Sequence, residues 1–143
     1  MSVTLKDVYR ERKAVDVLYE LLAERTPDQS ISHKQMPQRF EHNAFVRSRP
    51  YLAWYLVIAE CESAVRGAYT VEPVGSIYLS RQREIGVFIF RKHQRKGYAR
   101  AAINELRRMH PGDFYANVAP DNEASHALWR SIGARVIQHT YAF

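Results

Sequence analysis

The stretch Val87-Phe88-Ile89-Phe90-Arg91-Lys92-His93-Gln94-Arg95-Lys96-Gly97-Tyr98-Ala99 decides the fold. It opens with four apolar residues, as a central strand buried on both faces does. A short basic loop follows. From Gly97 the period changes, and Ala99, Ala102, Ile103 and Leu106 fall on one face of a helix. Gly97 and Ala99 let a ligand come close to the backbone. The free N–H groups and dipole of the helix start form an anion site, to which Arg95 and Lys96 add full charges. A pyrophosphate is the natural guest. The glycine spacing matches neither a P-loop nor a dinucleotide fingerprint.

Upstream, strands are predicted over 3–8, 51–60, 74–80 and 84–90, with amphipathic helices over 7–25 and 37–47. Pro37 is read as a first-turn residue, and Pro50 ends the second helix. Residues 61–73 read as irregular, a long hairpin connection or a short extra strand. Downstream come a helix over 97–109, a strand over 114–119, a helix from Pro120 to about Ile132 with Gly133 at its end, and a closing strand over 135–143. The closing β-α-β-α-β order implies right-handed crossovers and some parallel pairing. The expected architecture is a mixed α/β (α+β) fold. A mostly antiparallel sheet of six to seven strands is flanked by about four helices, all in one domain spanning 1–143.

The chain has 143 residues, 21 Lys+Arg against 15 Asp+Glu, and a formal charge of +6. Hydrophobic residues make up 46% and charged residues 25%, which excludes a disordered or collagen-like chain. No apolar run reaches the roughly 18 residues of a membrane span. The start, Met1 to Asp7, lacks the apolar core of a signal peptide, so the expected location is the cytoplasm. Cys61 is alone, which excludes an intrachain disulfide, and the six His show no metal-site spacing, so no metal is expected. The charge is not spread evenly. Arg91, Lys92, Arg95, Lys96, Arg100, Arg107 and Arg108 face a single acid, Glu105. A basic surplus attracts nucleic acid, membrane headgroups or a phosphorylated molecule. Nucleic-acid binding calls for aromatics interleaved with the charge. Here the aromatics lie on other strands and the charge centres on a strand-to-helix loop, so neither nucleic acid nor membrane is the expected partner.

The pattern Gln94-x-x-Gly97-x-Ala99 after an apolar strand resembles the acyl-CoA pyrophosphate signature of the GNAT superfamily of acyl-CoA-dependent N-acyltransferases. A second motif follows in order. The run Asn122 to Ala134, with Asn near its start and Gly133 near its end, resembles that family's penultimate helix. The resemblance covers about residue 74 to the C-terminus by motif, and the first half by element order. It implies that the cofactor is acetyl-CoA or another acyl-CoA, used as co-substrate. Backbone N–H groups of Gln94, Arg95, Lys96, Gly97, Tyr98 and Ala99 would hold its pyrophosphate. The backbone of Phe88, Ile89 and Phe90 would pair with the pantetheine arm, in a gap between the 84–90 and 114–119 strands. Asn117 and Asn122 would complete the cofactor contacts, and Asn122 also reads as an N-cap.

Acyl transfer to an amine needs a base and a proton donor for the leaving thiolate. Many relatives place a tyrosine donor where this chain has Trp129, and an indole cannot substitute for it. Ser125 resembles the Asn-x-x-Ser pattern of the branches directed at ribosomal proteins and sugars and is the favoured donor; Tyr98 and Tyr115 stay open. Glu84 is the favoured base, because relatives often place a carboxylate at the start of this strand. His42 is the second candidate base, since an imidazole titrates near neutrality. His33, Arg47, Trp54 and Tyr78 are the candidate acceptor contacts, with Arg47 and Arg49 available to an anionic acceptor. The pattern from His33 through the Trp-Tyr strand to Glu84 looks like bacterial GNAT proteins linked to surface-sugar biosynthesis. The acceptor is therefore expected to be a small-molecule amine, such as an amino-sugar nucleotide. A protein N-terminus, a ribosomal protein, a polyamine or an antibiotic are the alternatives. A CoA-binding domain without catalysis and a nucleic-acid module stand as the other functional classes. An open sheet edge makes a homodimer a further expectation.

Overall fold

The computed structural model describes residues 2–25 and 36–143. Four strands form one sheet in chain order: β1 (Thr4–Asp7), β2 (Ala53–Glu62), β3 (Tyr69–Leu79) and β4 (Ile85–Ile89). All three ladders are antiparallel. Four α-helices accompany them: α1 (Ala14–Ala23), α2 (Arg39–Arg47), α3 (Tyr98–Met109) and α4 (Glu123–Ser131).

Register decides which residues share a face. Trp54 lies opposite Tyr78, and Tyr78 opposite Gly86. Trp54 and Leu56, with Tyr78 beside them, pack under α1 and α2 through Val8, Ala14, Leu18 and Val46. The other face carries Val57, Ile77, Leu79 and Ile85 against Ala102, Ile103 and Leu106 of α3. Ile77, Leu79, Ile103 and Leu106 are completely buried, so truncating any of them to alanine would cost about 2–5 kcal/mol. Each face of the sheet therefore has its own helix layer, and β3 meets both, α1 on one face and α3 on the other.

The helices start slightly later than the sequence suggests. Helix α2 begins at Arg39, with Pro37 preceding the cap rather than occupying the first turn, and the Gln38 N–H donates to Glu41 Oε1 at 3.1 Å. Of the readings open for residues 61–73, the structure shows the long hairpin, with Glu62 paired to Tyr69. Pro73 sits beside a bulge: Val57 opposes Gly75, while Ile58 opposes Pro73.

The expected count of six to seven strands is corrected to four. The 114–119 segment makes a single parallel bridge, Glu84 to Tyr115, instead of a ladder. The Ile85 N–H donates to the Tyr115 carbonyl at 2.7 Å and the Tyr115 N–H donates to the Arg83 carbonyl at 2.9 Å, after which the two chains separate. Residues 135–143 form no strand, and Val136, Ile137, Tyr141 and Phe143 are exposed. Apolar alternation marks a segment able to pair, but a strand exists only where a neighbouring backbone accepts it. No helix among the described residues is long and apolar enough to cross a membrane.

Gly86 owes its identity to a close approach. A Cβ built there would stand 2.2 Å from the Tyr78 ring. Gly86→Ala should lower stability by about 1–3 kcal/mol through overpacking, read as a lower thermal midpoint. His42 supplies a second expectation. Burial holds its imidazole below the usual histidine range, and its Nε2–H donates to the Val15 carbonyl at 3.0 Å. Its folded pKa is depressed, so the neutral form's stability is present above the unfolded value and is lost as pH falls. The thermal midpoint should drop on acidification from pH 7 to 5, and His42→Gln should flatten that slope.

Candidate active site

The basic loop after β4 is built by side chains that tie it down. Phe90 leads into a 3-10 turn at Arg91–His93, where the buried His93 places Nε2 2.9 Å from Glu72 Oε1 on β3. The Arg91 N–H donates to Glu24 Oε1 at 2.8 Å, and its guanidinium donates to the Glu24 carbonyl at 2.9 Å. That pair joins the end of α1 to the loop. Gln94 turns its amide back onto the Ile89 carbonyl at 3.0 Å. Arg95 then takes a left-handed backbone at φ 62°, and Gly97 another at φ 88°.

Gly97 is the N-cap of α3, and no side chain accepts a hydrogen bond from that helix start. The first-turn N–H groups, which lack partners within the helix, therefore face outward. Arg95 and Lys96 are exposed beside them. Uncapped donors, a helix dipole and two cations suit a pyrophosphate, and they stand at one end of a cavity of about 670 Å³. The cavity runs along β4, past Gly86, Val87 and Phe88, to Glu84. A slot of that form fits a long phosphorylated thioester better than a compact anion.

The far end of the cavity is set by the bridge at Glu84. Asn117 Nδ2 donates to the Glu84 carboxylate, so this cavity-lining residue also orients the candidate base. The Glu84 N–H donates to Ser80 Oγ at 3.0 Å. Tyr78 lies on the same face, stacked on Tyr51 with ring centroids 3.9 Å apart and planes within 3°. Burial pushes both phenols up from their ordinary range, so each keeps its proton at neutral pH. From the opposite wall, α4 contributes Ser125, Leu128 and Trp129. Asn122 caps this helix, its Oδ1 accepting from the Ser125 N–H at 3.1 Å.

Glu84, Ser125, Tyr78, Asn117 and Asn122 thus line one cavity with the loop residues Gln94, Arg95, Gly97, Tyr98 and Ala99. Other candidates lie elsewhere. His42 is buried between α1 and α2. Trp54 is buried in the core, edge-on to Tyr9, Phe45 and Tyr51. Arg47 is exposed on α2, and Arg49 sits over Tyr9. Tyr98 points its hydroxyl at Cys61 Sγ, 3.7 Å away and behind the loop, and Tyr115 is exposed. His33 lies outside the described residues. Reasoning from sequence missed Arg25, Tyr51 and Ser80, which line the cavity from the end of α1 and from either side of the sheet's turns. Nothing in their local spacing marks them. The structure also gathers Cys61, Glu72 and His93 behind the loop, with donor atoms within 4.8 Å of one another, from three segments whose spacing shows no metal motif. Lys92 Nζ occupies the same carboxylate at 3.4 Å.

Comparison with known proteins places this geometry in a family. The profile of the acetyltransferase (GNAT) family matches residues 15–134. No match was found among curated proteins. Among solved structures, a domain from Methanocaldococcus jannaschii is similar at TM-score 0.68 and 17% identity, covering 92% of this chain and 87% of that one. The self-immunity acetyltransferase MccE, solved with acetyl-CoA and AMP, is similar at TM-score 0.63 and 17% identity, covering 92% and 78%. A ribosomal-protein-alanine N-acetyltransferase from Brucella melitensis is similar at TM-score 0.62 and 18% identity, covering 93% and 83%. With the family profile spanning most of its length, the chain belongs to the GNAT family of acetyltransferases, enzymes that use acetyl-CoA as co-substrate.

Proposed function

We propose that this protein is an N-acetyltransferase that moves the acetyl group of acetyl-CoA to a small primary amine by direct attack in a ternary complex. What carries the reading is one continuous cavity. It has the uncapped start of α3 at one end and Glu84, Tyr78 and Ser125 at the other. The bound co-substrate supplies an activated acyl thioester. The chain's own residues supply position and protons. Backbone N–H groups at 95–99, with Arg95 and Lys96, hold the pyrophosphate. Asn117 holds the Glu84 carboxylate toward the cavity, where it takes a proton from the acceptor ammonium. Ser125, fixed in the first turn of α4 by Asn122, relays to the departing thiolate the proton that the newly acylated nitrogen sheds. The aromatic wall of Tyr51 and Tyr78 keeps water from the reacting end.

An amino-sugar nucleotide is one acceptor of suitable size. A protein N-terminus is the second reading, favoured by the likeness to a ribosomal-protein-alanine N-acetyltransferase. A thiol-release assay with acetyl-CoA across sugar amines, peptides and polyamines separates these. Binding of acetyl-CoA without turnover on any amine would replace the enzyme reading with a CoA-binding domain.

Three variants test the assignments. Gly97→Asp adds a Cβ in a left-handed backbone and a carboxylate at the phosphates. It should weaken acetyl-CoA binding at least ten-fold by calorimetry, and unchanged affinity would remove the loop from the site. Glu84→Gln should lower kcat by about 10²–10⁴-fold with little change in acetyl-CoA affinity. Ser125→Ala should show the same pattern with a smaller loss. Full turnover in either would end that residue's role.

A further inference from the structure

Arg25 lines the cavity, and neither the phosphate loop nor the transfer chemistry uses it. Arg25 follows the end of α1 and lays its guanidinium over the Phe88 ring, 3.5 Å from the centroid. The stack fixes the plane of the fork and shields one of its faces. Its Nε is buried without a hydrogen-bond partner. Among the described residues no carboxylate pairs with it. The adjacent Glu24 takes the backbone N–H of Arg91, and Glu84 is engaged by Asn117. Burial lowers the guanidinium to about 10, against the upward pull of the Tyr51 and Tyr78 hydroxyls, so it remains charged at neutral pH.

A desolvated cation without a counter-charge is costly, and a donor left unpaired adds to that cost. The arrangement becomes favourable when an anion enters. A guanidinium donates to a carboxylate or phosphate through two parallel N–H groups, and the protonated phenols of Tyr51 and Tyr78 border the same cavity. The residues first expected to meet an anionic acceptor, Arg47 and Arg49, are directed elsewhere. Charge also bears on selectivity. A polyamine would bring a second cation toward Arg25, whereas an amine joined to an oxyanion would place one charge toward Glu84 and the other toward Arg25.

We propose that Arg25, with Tyr51 and Tyr78, binds an oxyanion group on the acceptor, a carboxylate or a phosphate, so that the preferred acceptors are negatively charged amines. The proposal rests on the transfer reading above, and it narrows the substrate class of the same site.

The test uses matched acceptors that share an amine and differ in the anion: an amino acid against its amide, and phosphoethanolamine against ethanolamine. With the full chain and saturating acetyl-CoA, kcat/KM should favour the charged member of one pair at least ten-fold, and that pair identifies the anion. Arg25→Met should erase most of that ratio, and Arg25→Lys should restore only part of it. A wild-type ratio near one, or a ratio that Arg25→Met leaves intact, overturns the proposal. So does a variant whose loss lies in the KM for acetyl-CoA, because that would assign Arg25 to the co-substrate. If no amine is turned over, the transfer reading has failed, and the anion site is read without catalysis. The Nε–H resonance of Arg25, assigned by its loss in Arg25→Lys, is followed while sodium acetate or inorganic phosphate is added to the wild-type protein. A saturable shift with one of them supports the site, and a resonance that neither anion moves overturns it.

Discussion

Two backbone hydrogen bonds, on either side of Glu84, hold the 114–119 chain against the start of β4 and let everything beyond them diverge. The rest of the site depends on that pin. Because pairing stops after one residue, the outer edge of β4 stays open and lines the cavity for its whole length. Because pairing happens at all, Asn117 reaches the Glu84 carboxylate. Arg83 reinforces the pin. It takes a left-handed backbone at φ 67° and donates to the carbonyls of His110, Pro111 and Asp113. The end of α3 is thereby tied to the start of β4, and the loop at the other end of both elements is held in place.

The positive charge of the chain divides by environment. Arg95 and Lys96 are exposed at the phosphate loop, while Arg91, Arg83 and Arg108 are used as structural donors or ion-pair partners. Surface pairs such as Arg108–Glu105 add little to stability, since solvent screens them. Arg25 differs in being desolvated and stacked. A count of basic residues therefore describes attraction to anions in general, and burial decides which cation can select one.

Much of the fold was legible along the chain. The strand-loop-helix at 87–99, the helix after Asn122 and the order of the first strands all depend on local period and local breakers, and all are present. The losses have a common cause. Residues 114–119 and 135–143 carry strand-forming side chains, yet a strand is a relation between two backbones. The hairpin through Pro73 was only one of several readings of residues 61–73, because local rules disfavour proline within a strand and a bulge accommodates it here. Among the cavity-lining residues, Glu84, Tyr78, Ser125 and Gly97 were singled out because they belong to sequence patterns. Arg25 and Tyr51 belong to none.

By itself the sequence determined the family, and it singled out the strand-loop-helix at 87–99 and the carboxylate just before β4. Each is written in contiguous residues, where spacing alone dictates geometry. Only the tertiary structure decided which aromatic residues face the cavity, that Trp54 and His42 are buried in the helix-on-sheet packing, and that among the described residues the half-buried Arg25 has no carboxylate partner. Those facts depend on register and on helix placement across the sheet. Segments far apart in the chain set them, and no local pattern encodes the distance between Arg25 and Phe88.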